Sequence, residues 1–326
     1  MKSPILSICI PTYNRSEYLQ KCLQSIEIQL EEKPHLQNLV EIVISDNHST
    51  DTTKEVVDEF IHKFSHIKYV VNEKNVGFDL NILNVVKNAS GDYCWYLGDD
   101  DIIINGALSF VCEIIFAHKY DIICIEAEHL TDQKEYLVER KFLLNDTVTI
   151  KDSDEYYFKG YCQGGVSVLM FKRSLWLSLV DENNFLEHWL YYETVLRVLA
   201  VSDKEKLYIK KAGIQTGQDC RWAENGGELF TFVNSNMLLE KMISFGFDKQ
   251  RIERELQKNS KKIIIILLRA KGHDLVCTIK NLKYIYNNLS RVSISRLFLV
   301  TLIYFLPNIL IKLIRDIKKR ISKVLK

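Results

Sequence analysis

The stretch CWYLGDDDIIINGAL, residues 94–108, joins a run of apolar and aromatic residues directly to three acids. The run stops at Gly98, and Asp99, Asp100 and Asp101 follow it. Three carboxylates at the end of a buried strand repel one another, most strongly where water is scarce. The triplet therefore predicts one of two arrangements. Either the acids are well solvated and cap the helix that follows, or a positive charge lies among them.

Strand and helix patterns alternate on both sides of this stretch. Apolar, β-rich runs lie at 5–10, 40–45, 67–71, 92–97 and 120–127, and helical spacing is found at 16–30, 49–64, 79–89 and 106–119. Short connections join them. This alternation predicts an α/β fold with a mainly parallel sheet and helices on both faces.

Each of the first four strands is followed by a polar loop. The loops read PTYNR (11–15), DNHSTD (46–51), NEKNVGFD (72–79) and GDDD (98–101). Any one such loop is ordinarily a turn or a helix cap. In open α/β sheets, however, ligands bind at the carboxyl ends of the strands, so four such loops at one edge favour a ligand site.

The composition is that of a globular protein, with 47% apolar and 26% charged residues among 326. A net charge of +1 gives no global field that attracts nucleic acid. Most of the eight Cys lie in apolar runs, and no secretory signal precedes the first strand, so we expect reduced thiols in a cytoplasmic protein. The charge is uneven: residues 296–326 hold eight Lys or Arg and one acid, giving +7 in this tail and −6 elsewhere.

Three consecutive segments carry a resemblance to a known family. They are SICIPTYNRSEYLQKCLQSI (7–26), EIVISDNHSTDTT (41–53) and NVGFDLNILNVVKNASGDYCWYLGDDD (75–101). In order and spacing they resemble family 2 glycosyltransferases, which have a Rossmann-like GT-A fold. The likeness covers about residues 4–130, is looser to 225, and includes abequosyltransferase-like enzymes of bacterial surface-polysaccharide assembly. It implies a glycosyltransferase domain at 1–227, with a nucleotide-sugar half (1–130) and an acceptor half (131–227).

The resemblance assigns a metal to the acid triplet. A nucleotide-sugar donor leaves a diphosphate behind, and Mn²⁺ or Mg²⁺ held by carboxylates neutralises the charge that develops on it. The family pattern is usually Asp-x-Asp-Asp, whereas this chain has Gly98 in the first position. By alignment Asp100 is the best metal ligand, Asp99 faces the donor ribose or sugar, and Asp101 orients the loop or caps the next helix.

The resemblance also assigns the donor pocket. Two alternatives remain open: Tyr13 as a packing aromatic and Asp46 as a turn-forming residue. Asn75 and Gly77 would shape a turn under the nucleotide. Asp79 would cap its own helix or touch the sugar. The predicted donor-binding residues here are Pro11, Thr12, Tyr13, Asn14, Arg15, Asp46, Asn75, Gly77, Asp79 and Asp99.

An inverting transfer needs a general base, which the family usually supplies as an acidic pair after the segment that QGGVSVLMFKRSLW (163–176) resembles. The expected Glu-Asp pair is absent. Glu187 with His188, or Glu193, are the substitutes, and the first pair is favoured because it falls where a loop enters the site. A solvated helix face is the alternative for each.

The segment 206–228 reads as a strand followed by a Gly-rich polar loop. In the family a loop at this place closes over the diphosphate and the acceptor. Arg221 would then pair with phosphate oxygens and Trp222 would stack on a sugar. An ordinary surface loop is the alternative.

Beyond residue 228 the chain reads as helices, at about 228–245, 249–271, 275–289 and 295–325. The last contains LFLVTLIYFLPNILIKLI (297–314), interrupted by Pro307 and followed by basic residues. An amphipathic basic helix that lies on anionic lipids fits both features. A buried docking helix and a true membrane span are the alternatives.

Taken together, the residues and the resemblance predict an inverting, metal-dependent bacterial glycosyltransferase. It would use a nucleotide-sugar donor and a lipid-linked or polysaccharide acceptor, would not bind nucleic acid, and would lie at the inner face of the cell membrane. A nucleotidyltransferase is the enzymatic rival, although PTYNR (11–15) lacks a Gly-rich phosphate loop. A catalytically inactive, membrane-associated nucleotide-sugar binding module is the rival from another class.

Overall fold

The computed structural model describes residues 3–64, 66–117, 119–129, 147–217, 227–289 and 291–313. The chain divides into two compact units, Met1–Asp219 and Cys220–Lys326. The boundary that the sequence suggests, 227/228, falls near this division, and the separate functions of the parts stay predictions.

The first unit is built on one mixed sheet. Its strands are β1 Leu6–Thr12, β2 Val40–Asp46, β3 Ile67–Val71, β4 Tyr93–Tyr96, β5 Ile102–Ile103, β6 Ile122–His129, β7 Thr147–Ile150, β8 Leu169–Lys172 and β9 Lys206–Thr216. Their order is β3-β2-β1-β4-β8-β6-β9-β5, and β7 pairs with β9. The helices of this unit are α1 Ser16–Glu32, α2 Thr53–Ile61, α3 Phe78–Asn88, α4 Ala107–Phe116, α5 Ser153–Phe158, α6 Arg173–Leu179 and α7 Leu190–Val201, with 3₁₀ turns at Pro34–Asn38 and Val166–Val168.

The predicted β-α alternation is confirmed in the first half of the chain. β1 pairs in parallel with β2 and β4, and β2 pairs in parallel with β3. β1 and β2 are buried almost throughout, as expected for strands covered on both faces. The mainly parallel arrangement ends at β4, because β8 lies antiparallel between β4 and β6.

The sheet brings the four polar loops together at one edge, as predicted. β1 lies between β2 and β4, and the register pairs Thr12 with Asp46 and Asp46 with Val71. The two-residue strand β5, which the sequence pattern did not reveal, pairs with Ile214 and Gln215 of β9. The carboxyl end of β9 therefore reaches the acid triplet.

The second unit is helical and has its own core. Its helices are α8 Gly227–Phe245, α9 Lys249–Gly272, α10 Ile279–Asn288 and α11 Ile294–Phe305. The first three correspond to the predicted ranges 228–245, 249–271 and 275–289. The predicted continuous helix at 295–325 is wrong, because α11 ends at Phe305 and a second helical stretch begins at 308. Pro307 lacks an N–H and forces Leu306 into an extended conformation (φ −64°, ψ 143°). The core comprises Leu229, Val233, Ile263, Leu267, Ala270, Leu275, Ile285, Leu289, Val300 and Tyr304.

Candidate active site

The acid triplet follows β4 and meets residues that follow β1. Asp99 Oδ2 accepts a hydrogen bond from Thr12 Oγ1 at 2.8 Å, and Asp99 Oδ1 lies 3.3 Å from Arg15 Nε. Arg15 Nη2 lies 2.9 Å from Asp100 Oδ2. The guanidinium also rests on the ring of Tyr18, 4.7 Å from its centroid. The positive charge among the acids is therefore Arg15, which two carboxylates share.

Asp101 makes hydrogen bonds that fix the loop at residues 98–101. It accepts hydrogen bonds from Ser167 Oγ and, at 2.9 Å, from the Gly217 backbone N–H. Ser167 Oγ in turn accepts from Gly98 N at 2.8 Å. A Cβ at Gly98 would lie 3.1 Å from Asp101 Oδ2, so this packing leaves little room for the side chain that the family usually carries there.

Burial raises the pKa of Asp99 and of Asp101. Desolvation raises the pKa of Asp99 to about 7, against the lowering effects of Arg15 and Thr12. Desolvation and the neighbouring Asp100 raise the pKa of Asp101 to about 6. Ionising both carboxyls is therefore costly, and in the described part of the chain Arg15 is the cation paired with the triplet.

The residues fit a divalent ion that the donor helps to hold. Within the described ranges, no three His, Cys, Asp or Glu side chains form a closed metal cage. Mg²⁺ is commonly bound by one or two carboxylates together with substrate phosphates. Asp100 is 17% exposed, and Asp101 is engaged with Ser167 and Gly217, so Asp100 is the carboxylate that such an ion reaches most easily.

The loop after β2 is held by the carboxylate of Asp46. Its Oδ1 accepts from Ser49 N at 2.8 Å, as in an Asx turn, and its Oδ2 accepts from Tyr69 OH at 2.5 Å. Burial and this contact raise the pKa of the Tyr69 hydroxyl, so it stays a donor. Asp46 is 2% exposed, so the turn-forming alternative has direct geometric support, and its contact with a base stays a prediction.

Two other predicted donor residues line the same edge in different ways. Tyr13 is 42% exposed, so its ring is open to solvent, and Pro11 is half-buried near the end of β1. Asn14, with φ 52°, accepts from Thr50 N at 2.7 Å, so its side chain ties the first loop to the second.

A network of asparagines supports the turn after β3, and sequence reasoning missed most of it. Asn75 Oδ1 accepts from Gly77 N and from Asn47 Nδ2, each at 2.9 Å, and Gly77 has φ 86°. Asn47 Oδ1 accepts from Val76 N at 2.8 Å. Below it, Asn72 Nδ2 donates to Asn81 Oδ1 at 2.9 Å. The high density of Asn in residues 72–88 is the sequence signal that could have revealed this network.

Asp79 does not cap its own helix. Its carboxylate accepts from the backbone N–H groups of His188 (2.7 Å) and Leu190 (3.1 Å), at the start of α7. It is 7% exposed, and burial raises its pKa. Its predicted contact with the donor sugar stays a prediction.

The three candidate bases differ in exposure. Glu187 and His188 are exposed, and the His188 ring lies 6.4 Å from the ring of Phe78. Glu193 is 2% exposed, pairs with Arg197 Nη2 at 2.9 Å and accepts from Leu186 N at 3.2 Å. Geometry therefore gives Glu193 a structural place and leaves the loop pair as the base candidates.

Arg221 and Trp222, predicted to close over the donor, lie outside the described residues.

Comparison with known proteins adds the family. The model of "Glycosyl transferase family 2" matches residues 7–174, more than half of the chain. The abequosyltransferase RfbV of Salmonella typhimurium is 45% identical over 108 residues, covering 33% of this chain and 31% of that protein. A GalNAc(5)-diNAcBac-PP-undecaprenol beta-1,3-glucosyltransferase of Campylobacter jejuni is 31% identical over 217 residues, covering 64% and 63%. The match thus spans less than two thirds of either relative.

Solved structures agree on the fold. The structure of S. aureus TarS 1-349 superposes with a TM-score of 0.61 at 16% identity, covering 94% of this chain and 87% of that one. The mannosyltransferase PcManGT of Pyrobaculum calidifontis, in complex with GDP-Man and Mn²⁺, superposes with 0.55 at 13% identity, covering 96% and 88%. These likenesses show a GT-A fold. On the extent of the family match, this chain belongs to glycosyl transferase family 2.

Proposed function

We propose that this chain transfers a sugar, with inversion, from a nucleotide-sugar donor to a lipid-linked saccharide of a bacterial surface glycan, using a divalent metal. The observation that carries the proposal is the cluster of Thr12, Arg15 and the acid triplet, at the ligand-binding edge of a family 2 chain. Two solved structures of similar fold, those of S. aureus TarS 1-349 and of PcManGT, are complexes with the nucleotide-sugars UDP-GlcNAc and GDP-Man.

The chain's own residues divide the work on the donor. A bound Mn²⁺ or Mg²⁺ would neutralise the diphosphate charge as the sugar leaves. Asp100 would hold that ion and Asp101 would keep the loop in place through Ser167 and Gly217. Arg15, which pairs with Asp99 and Asp100, would also donate to a phosphate oxygen. Tyr13 would stack on the base.

The acceptor hydroxyl must lose a proton when it attacks the anomeric carbon. Glu187 and His188 are exposed in a loop that begins α7, so either can reach an incoming hydroxyl. A neutral imidazole at His188 would accept the proton and the adjacent Glu187 would stabilise the resulting cation. We do not propose Glu193 for this task, because it is buried and paired with Arg197.

The acceptor class is supported by the relatives and by the second unit. The Campylobacter jejuni relative is named for a PP-undecaprenol-linked glycan. In the second unit, an apolar face of α11 and the stretch after it (Ile294, Phe298, Leu302, Phe305 and Ile309) is exposed to solvent. The basic sequence of the tail gives this part the charge that anionic lipids attract.

These features support peripheral attachment to the inner face of the cell membrane. No helix in the described part of the chain is both long enough and apolar enough to span a bilayer. An enzyme that lies on the bilayer shares a surface with a lipid-linked acceptor.

The test measures the release of nucleoside diphosphate from UDP-, GDP-, CDP- and dTDP-sugars. Each donor is tried with Mn²⁺ or with EDTA, and with or without an undecaprenyl-diphosphate saccharide as acceptor. We expect one donor to be consumed only with metal, and faster with acceptor. Turnover in EDTA would overturn the metal assignment. Binding of one donor without turnover under every condition would instead favour the inactive binding module.

A further inference from the structure

Asp79 connects two parts of the first unit that are far apart in sequence. It lies in the first turn of α3, yet its two carboxylate oxygens accept from His188 N at 2.7 Å and Leu190 N at 3.1 Å. The N-terminal amides of a helix lack partners within that helix, so a buried carboxylate satisfies them well. Asp79 thus does for α7 what a capping side chain ordinarily does for its own helix.

A second buried carboxylate holds the same loop from the other side. Glu193 Oε2 accepts from Leu186 N at 3.2 Å, three residues before the N-cap Trp189, while its Oε1 pairs with Arg197. Between these two attachments, Glu187 and His188 remain exposed. His188 has φ 68°, a conformation that costs free energy in a residue with a side chain and persists only where neighbours enforce it.

The helix that carries Asp79 begins at the turn formed by residues 75–77, called the donor turn below because the donor is proposed to bind there. Gly77 precedes α3 directly, and its carbonyl accepts from Asn81 N at 3.1 Å in the first turn of that helix. Asn75 and Asn47 hold the turn itself. A donor seated on this turn therefore rests on the same helix end that fixes the 186–190 loop.

We propose that Asp79 is a positioning residue that holds Glu187 and His188 toward the acceptor and couples their placement to the donor turn. This rests on the proposed function, in which that pair supplies the base. It differs from the sequence-based expectation that Asp79 touches the donor. Losing the two backbone contacts would free the loop and relax His188, and a misplacement of about 1 Å can cost about 100-fold in rate.

The experiment compares Asp79→Asn and Asp79→Glu with wild type and with Glu55→Gln, an exposed first-turn acid of α2. We expect Asp79→Asn to lower kcat about 10- to 100-fold, with partial rescue by Asp79→Glu. The dissociation constants of UDP, GDP, CDP and dTDP with Mn²⁺ should stay within about twofold. Amide hydrogen exchange in 186–190 should speed up about tenfold or more in Asp79→Asn, and not in Glu55→Gln.

A double-mutant cycle shows whether Asp79 acts through the pair. Once Glu187 and His188 are both replaced by Ala, Asp79→Asn should have little further effect on turnover. A weaker nucleotide affinity with unchanged kcat and unchanged exchange would overturn the proposal and restore the donor role. If wild type consumes no donor, the proposed function fails by itself. The exchange at 186–190 then still decides whether Asp79 holds the loop.

Discussion

Single carboxylates in this site differ in what they touch, and so in what their loss should do. Asp99 is buried against Thr12 and Arg15, Asp101 is bound to the loop by Ser167 and Gly217, and Asp100 keeps the most exposed position beside Arg15. A change at Asp101 would therefore disturb the loop. A change at Asp100 tests the chemistry with the least effect on the fold.

Asp100→Asn should abolish metal-dependent turnover, because an amide is a much weaker ligand for Mn²⁺ or Mg²⁺ than a carboxylate. The thermal midpoint should stay within about 2 °C of wild type, since Arg15 keeps its contact with Asp99. Nucleotide release with Mn²⁺ and a melting curve measure both effects. Asp92→Asn, an exposed acid just before β4, is the control. Full turnover in Asp100→Asn would remove Asp100 from the metal site.

The pKa of Asp99 predicts a dependence of stability on pH. Its folded-state pKa, about 7, exceeds the ordinary value near 4, so the folded state binds this proton more tightly than the unfolded chain does. The resulting stability is complete below about pH 4 and is lost as the pH rises to about 7. In EDTA, the free energy of unfolding of wild type should fall relative to Asp99→Asn by up to about 1.4 kcal/mol per pH unit. A constant difference between the two proteins from about pH 4 to pH 7 would contradict this.

At this scale the sequence revealed residue types and missed partners. The acid triplet and PTYNR were recognisable as a site because each follows a strand. Local rules pair a first-turn acid with nearby amides, so the sequence predicts that Asp79 caps its own helix, with a contact to the sugar as the other expectation. Its partner lies 109 residues away, and only the packing of α3 near α7 brings the two together.

At the scale of elements, the donor edge depends on polar packing between α3 and the sheet. Asn81, 3% exposed, accepts from Ser45 Oγ at 2.7 Å and donates to Ser45 O at 3.0 Å and Thr12 O at 3.4 Å. It also accepts from Asn72, which continues the network to the turn at residues 75–77. One side chain thus joins the ends of β1 and β2 to α3.

Asn81→Leu should lower the free energy of unfolding by about 2–4 kcal/mol, because it leaves several buried polar groups without partners. It should also weaken nucleotide binding, since the turn at Asn75 loses its support. Denaturant unfolding and nucleotide titration measure the two effects. Asn88→Leu, at the half-buried end of the same helix, is the matched control and should change little. Equal stability of the two variants would show that the network does not bear on the fold.

Elements with strong periodicity were predictable, and those that depend on partners were not. β1 to β4 and α1 to α4 follow the patterns of 5–119 closely. The two-residue strand β5 forms through its pairing with β9, more than 100 residues later, so no local pattern predicts it. The antiparallel direction of β8 likewise depends on its pairing with β4 and β6 and not on its own sequence. The predicted helix at 295–325 does not stop at Phe305 because apolar spacing continues across Pro307, whereas α11 itself ends at Phe305.

At the scale of the whole molecule, the family match and the surface proposed to bind lipid lie in different units. The family model ends at residue 174, within the first unit. The second unit has a helical core that includes Val300 and Tyr304 of α11, so deleting the tail from residue 296 would damage that core as well as remove the proposed anchor. Substitutions on the exposed side of α11 test membrane binding without that damage.

Phe298→Glu combined with Ile309→Glu should release the protein from vesicles of phosphatidylglycerol. The two side chains are 66% and 77% exposed, and burying each in the bilayer interface is worth about 1.5–3 kcal/mol, or about tenfold or more in affinity. Added carboxylates also repel the anionic surface, and salt should weaken what binding remains. Phe116→Glu, equally exposed at 66% but in the first unit, is the matched control in a vesicle co-sedimentation assay. Phosphatidylcholine vesicles should bind wild type more weakly, because they lack the charge that the tail's +7 attracts. If the double variant binds phosphatidylglycerol vesicles as tightly as wild type and the Phe116→Glu control do, the apolar face of α11 is not the membrane surface of this protein.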